Sequence, residues 1–252
     1  MSEPIISLHK LHIAFGSKDV IKDLDLDVMP GETLAIIGPS GSGKSTILRV
    51  LIGLLKPSGG QVLVQGQDVT GYTEDQWNEL RKRMGMVFQY SALFDFLTVG
   101  ENVAFALRQH LHLPEAEIQQ RVRELLQDVG LEQDAAKYPS ELSGGMKKRV
   151  GLARAIAVNP EILLYDEPTA GLDPIRTMSI SRLIRKTQQK RHVTSLLVTH
   201  DMESTFVAAD RIAMLNEGKI IAVGSVDEMK NSSNPVVQGF IKGDAVSEEE
   251  AR

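Results

Sequence analysis

The chain of 252 residues is long enough for one large domain or two small ones, and its 42% hydrophobic and 24% charged residues are ordinary for a globular protein. It has no cysteine, which excludes disulfides and thiolate metal sites and fits a reducing compartment. Its 28 Lys and Arg against 33 Asp and Glu give a net charge of −5, so the broad positive field of a nonspecific nucleic-acid binder is absent and no nucleic-acid partner is expected.

Met1-Ser2-Glu3-Pro4 is acidic and has no apolar stretch behind it, so no secretion signal is expected. The apolar runs around Ile36-Ile37 and Leu54-Leu55 fall far short of the ~18 residues that cross a bilayer. Any work at a membrane therefore goes through a partner. Further along, Leu24, Leu26 and Val28 alternate with Asp23, Asp25 and Asp27, a strand with one wet face. Pro30-Gly31 reads as a turn. Residues 33–37 read as a short apolar strand that enters a glycine-rich loop, then an apolar helix from 45 to about 55. Gly59-Gly60 is expected to break the chain before a strand at 61–64. Between about 91 and 159 the pattern changes to a 3.6-residue period, predicting helices over 99–107, 115–129 and 144–158. Apolar strands return at 162–165 and 195–199 with a helix between them. Continuous apolar strands separated by helices predict an α/β core, its sheet covered on both faces and interrupted by a helical subdomain. The tail at 247–252 is expected to be solvated and frayed.

Gly38-Pro39-Ser40-Gly41-Ser42-Gly43-Lys44-Ser45 fits the phosphate-loop pattern, and it stands where that loop must stand, after an apolar strand and before a helix. Glycines let backbone N–H groups turn toward phosphate oxygens, and the helix adds the positive end of its dipole. Lys44 is suited to the β- and γ-phosphates of a bound nucleotide and the Ser45 hydroxyl to Mg²⁺, with Thr46 next on the same helix. A second apolar run, 162–165, ends in Asp166 and Glu167. Ligands of a doubly wound sheet gather beyond such strand ends, which places Asp166 for Mg²⁺ and Glu167 for polarising an attacking water. Read alone, the competing reading is a surface acidic pair ending a strand, and it is the weaker of the two. His200 ends another apolar strand and can touch a γ-phosphate; alone, it reads better as an ordinary strand-end histidine. Gln89 follows the short apolar run 86–88 and by itself says little. Ser143 suits a helix N-cap, and Gly144-Gly145 leave N–H groups accessible ahead of a helix carrying Lys147, Lys148, Arg149 and Arg154.

The order of these features resembles the ABC ATPase family. The phosphate loop comes first, then Gln89 as Q-loop, the Leu142-Ser143-Gly144-Gly145 signature, Asp166 with Glu167, the D-loop Gly171-Leu172-Asp173, and His200 as switch. The resemblance implies a P-loop NTPase with a RecA-like core, an N-terminal antiparallel β subdomain and an inserted helical subdomain. Its implied boundaries are one domain over 1–240, core at 1–90 and 160–225, helical part at 91–159, and a C-terminal extension from 226 to 252. It further implies ATP and Mg²⁺ as cofactors, Phe15 stacked on adenine, Gln89 near the metal, and Glu167, His200 and Gln89 as catalytic residues. Ser143, Gly144, Gly145 and Asp173 are implied to complete the nucleotide site of a second chain in a head-to-tail homodimer. Met146 departs from the family, which usually has Gln there; a contact through that Gln is lost.

The single cassette and its length imply the ATPase of a transporter, bound to integral-membrane permease subunits at the cytoplasmic face of the inner membrane. Residues 91–95, 97–103, 146–149, 165–175 and 234–243 resemble the ATPases of Mla/Mce-type lipid transporters. That subgroup implies phospholipid movement between inner and outer membranes, a permease of the MlaE kind, an MCE lipid-binding protein and, in some members, a STAS-domain protein. An importer of polar solutes and a soluble ATPase acting on nucleic acid or ribosomes remain the alternatives.

Overall fold

Acidic residues on every second position make residues 18–28 a strand with one wet and one dry face. In the computed structural model, which describes residues 3–243, Leu24, Leu26 and Val28 are buried while Asp23, Asp25 and Asp27 stand in solvent. The expected frayed tail at 247–252 and the residues Met1 and Ser2 lie outside the described residues. In chain order the elements are β1 (Ile6–Phe15), β2 (Lys18–Val28), β3 (Thr33–Ile37), α1 (Lys44–Leu51), β4 (Gly59–Val64), β5 (Gln67–Asp68) and α2 (Glu74–Arg81). There follow β6 (Met84–Val87), α3 (Val99–His110), α4 (Glu115–Asp128), α5 (Gly144–Ala155), β7 (Ile162–Asp166) and α6 (Pro174–Arg191). The remainder is β8 (Thr194–Val198), α7 (Met202–Ala208), β9 (Arg211–Asn216), β10 (Lys219–Ser225), α8 (Val226–Lys230) and α9 (Pro235–Lys242). These elements gather into two compact units, one running to Trp77 and resuming at Thr194, the other Asn78–Val193.

In the first unit β2, β1, β4 and β5 form an antiparallel sheet in that order. Gly59 and Gly60, expected as a break, are instead the opening residues of β4, with Gly59 opposite His12 of β1. A second sheet runs β10-β9-β3-β8, with β3 parallel to both β8 and β9. Every residue of β3 and β8 is buried, as a strand covered on both faces requires. Helix α1 stops at Leu51, short of the expected end near 55. Gly53 takes a left-handed φ of 70°, and the N–H groups of Leu54 and Leu55 turn back onto the Arg49 carbonyl, closing the helix.

In the second unit β6 and β7 pair in parallel, from Met84 opposite Ile162 to Val87 opposite Tyr165. Helices α3, α4 and α5 pack on one another, and α5 packs on β6. Their apolar stripes account for this: Val99, Val103 and Leu107 of α3 and Ile118, Val122, Leu125 and Leu126 of α4 are buried. The helices expected over 115–129 and 144–158 end at Asp128 and Ala155. Beyond α5, Asn159 at a φ of 56° and then Pro160 are incompatible with a continuing helix. The expected helical insert at 91–159 lies inside this unit, together with β6, β7 and α6. The α/β class, the N-terminal antiparallel sheet and the helical segment within the chain are as the sequence predicts.

Candidate functional site

In the first unit the chain leaves the buried strand β3 at Ile37 and enters the glycine loop. Gly38 lies so close to β9 that a Cβ there would stand 2.0 Å from the Leu215 carbonyl oxygen. Gly41 and Gly43 have φ of 78° and 105°, and Gly43 is the N-cap of α1. The helix therefore begins with Lys44, as the motif requires. Lys44 is only 6% exposed; its Nζ is turned back into the loop and donates to the carbonyls of Gly38 at 2.8 Å and Pro39 at 2.9 Å. The Ser42 hydroxyl is buried inside the loop and has no hydrogen-bond partner. A loop that turns an ammonium inward, buries an unpartnered hydroxyl and sits at a helix N-terminus has the donors a phosphate anion calls for. Ser45 and Thr46 occupy the first turn of α1, half-buried. Pro39, Ser40 and Gly41 form the exposed crest of the loop. In the same unit Phe15 ends β1 with its ring half in solvent, and His200 follows β8, exposed, one residue before Asp201 caps α7.

In the second unit the remaining predicted residues divide between strand ends and helix starts. Gln89 lies two residues beyond β6 and is half-buried; Asp166 ends β7, and Glu167 follows it. Glu167 has a left-handed φ of 47°, sparsely populated for a residue with a side chain and found where the surroundings enforce it. Its carbonyl accepts from the Ala170 N–H at 3.1 Å. Ser143 is the N-cap of α5, its hydroxyl accepting from the Met146 N–H at 3.4 Å. Ser143 and Gly144 are exposed, whereas Gly145 is buried. Asp173 is the N-cap of α6, accepting from the Arg176 N–H at 3.0 Å, with its other carboxylate oxygen 3.3 Å from Arg176 Nε.

The structure joins two of these residues through a third that sequence reasoning read only as one cation among several. Lys148, five residues into α5 from its cap, is 6% exposed, and its ammonium donates to the Gln89 carbonyl and, at 3.5 Å, to the Glu167 carbonyl. Burial pushes the lysine's pKa down, and the Glu167 charge works against that shift. Among the described residues no group of three or more His, Asp or Glu is placed to hold a metal. A Mg²⁺ site built from one hydroxyl, one carboxylate and nucleotide oxygens is compatible with that. No helix among the described residues is long and apolar enough to cross a membrane.

A family model described as ABC transporter matches residues 21–170. Over 245 residues the chain is 41% identical to the intermembrane phospholipid transport system ATP-binding protein MlaF of Haemophilus influenzae, spanning 97% of this chain and 93% of that protein. Over 238 residues it is 43% identical to the sulfate/thiosulfate import ATP-binding protein CysA of Synechocystis sp., spanning 94% of this chain but 65% of that protein. Among solved structures, the dimeric post-hydrolysis state of the ATP-binding cassette MJ0796 bound to ADP and Pi matches with a TM-score of 0.80 at 32% identity, over 88% of this chain and 98% of that one.

Proposed function

This chain belongs to the ABC transporter family and hydrolyses ATP to drive transport, and from that premise we propose that its cargo is phospholipid moved between the inner and outer membranes. The observation that carries the cargo is the 41% identity to the phospholipid-system ATPase, which runs over 97% of this chain. Met146, in place of the family's usual signature Gln, accompanies the Mla/Mce-like stretches and supports the same reading.

In this proposal residues 1–240 act as one ATPase domain and the segment from 226 as its extension. Gly38–Ser45 and Thr46 hold the phosphates, Phe15 stacks on adenine, and the buried Ser42 hydroxyl and the inward Lys44 ammonium supply donors to oxygens. Ser45, Asp166 and Gln89 would hold Mg²⁺, which when bound neutralises charge on the triphosphate. Glu167 polarises the attacking water, and His200 and Gln89 hydrogen-bond around the γ-phosphate. Ser143, Gly144, Gly145 and Asp173 face the nucleotide of a second copy in a head-to-tail homodimer. The dimer docks on permease subunits of the MlaE kind at the cytoplasmic face of the inner membrane, with an MCE protein and a STAS-domain protein as further members of the complex.

Isolation of the complex from membranes followed by lipid extraction tests the cargo. Bound phospholipid and loss of outer-membrane lipid asymmetry on deletion are the expected results. ATP turnover stimulated by a soluble oxyanion, with no lipid retained, would favour the second reading, a polar-solute importer, which the 43% identity to the sulfate importer supports.

A further inference from the structure

Lysine heads ordinarily reach for water, because burying an ammonium is costly unless it is well partnered. Lys148 does the opposite: it lies in the buried face of α5 and turns its ammonium onto two main-chain carbonyls, those of Gln89 and Glu167. Both belong to backbone that needs holding. Glu167 is left-handed at a φ of 47°, and two residues past Gln89 the chain is left-handed again at Ser91, φ 62°, and Ala92, φ 46°. The same face of α5 secures that second stretch. Arg154 donates to the Ser91 carbonyl at 2.8 Å and the Ala92 carbonyl at 2.7 Å, and Gly151 lies against Ser91, whose Cβ is 3.4 Å from where a side chain at 151 would begin. Residues 148, 151 and 154 thus form one rail, spaced three apart, beneath the segment that carries Gln89.

We propose that Lys148 is a positioning residue that fixes Gln89 and Glu167 to the signature helix, so that the helix capped by Ser143 and the two groups flanking the reacting phosphate move as one body. The proposal rests on the roles given above to Gln89 and Glu167. If Lys148 served only folding, an apolar residue of its length would leave the Gln89 and Glu167 carbonyls without this donor and lower the melting temperature while kcat stayed unchanged. If it positions, the fold survives and the chemical step suffers.

Lys148→Met in the full-length chain separates these. Steady-state ATPase kinetics are expected to give a kcat lower by about 10- to 100-fold, the scale set by sub-ångström misplacement of reacting groups. KM and the ATP affinity from equilibrium titration stay within about two-fold. Lys148→Arg, which keeps the charge and the donors, is expected to recover most of the lost kcat. A Lys148→Met kcat within about two-fold of the parent overturns the proposal, as does an ATP affinity that falls in step with kcat. If the Met variant does not fold, Lys148→Gln is read by the same criteria. Glu167→Gln is the companion control. Full turnover in that variant removes the underlying site assignment whatever Lys148 does, whereas a dead Glu167→Gln beside an active Lys148→Met sinks the positioning role alone.

Discussion

At the scale of single residues the glycines of the phosphate loop are not equivalent. A methyl group on Gly38 would meet the Leu215 carbonyl at 2.0 Å, a backbone contact that cannot rotate away, whereas Gly41 has open space around it and only its φ of 78° to constrain it. Gly41→Ala is expected to cost about 1–2 kcal/mol, the ordinary penalty for a left-handed residue with a side chain. Gly38→Ala must displace β9 from β3 and is expected to lower the melting temperature by at least about 8 °C, well over the Gly41→Ala shift. Parallel thermal melts check the ranking, and equal shifts would contradict the contact. The sequence marks Gly38, since the motif demands glycine there, and it marks Asp166 and Glu167 by the apolar strand they end. It does not mark Lys148. A row of Lys147, Lys148 and Arg149 on a helix reads as a wet face, and only the placement of the 89–92 and 167 carbonyls shows that the middle one points inward.

Among the elements, the segment 94–98 has no ladder of its own and borrows one from a side chain. Asn102, with 0% exposure, accepts from the Phe94 N–H at 2.9 Å and donates to the carbonyls of Phe94, Leu97 and Thr98 at 3.0 to 3.1 Å. Asn102→Ala removes the partner of the part-buried Phe94 N–H and Leu97 carbonyl and is expected to cost about 2–3 kcal/mol. Thr98→Ala removes the capping box of α3, in which the Glu101 N–H donates to the Thr98 hydroxyl, and should cost about 1 kcal/mol. Denaturant midpoints at constant slope order the two, and a milder Asn102→Ala would refute the buried network. Helix α3 was legible because its apolar positions recur at 99, 103 and 107. The hairpin of β9 and β10 was not: β10 is half-exposed along almost its whole length, so no clean two-residue alternation announces it. The turn between them is set instead by the left-handed Glu217 and Gly218. Likewise the end of α1 was overestimated because Leu54 and Leu55 extend the apolar pattern past the residue that stops the helix. Leu54, apolar by type, is 66% exposed.

For the whole molecule, the proposed dimer makes a prediction that no single chain can mimic. In a head-to-tail pair each nucleotide is shared between Lys44 of one copy and Ser143 of the other, as the twofold symmetry of such an assembly requires. The chain carries one copy of each motif, so a chain working alone has only its own Lys44 and Ser143. Take Lys44→Ala, which strips the ammonium from the loop, and Ser143→Arg, which sets a bulky cation on the exposed cap of α5. Each homodimer then has two damaged sites and is expected to be inactive. In a mixed dimer both lesions fall on the same site, and the other combines an intact loop with an intact signature. Mixing the two purified variants is therefore expected to restore ATP turnover above either alone, with one nucleotide bound per dimer. If every chain instead completed its own site, each mixed dimer would still hold one lesion per site, and turnover would stay at the level of the separate variants at any mixing ratio.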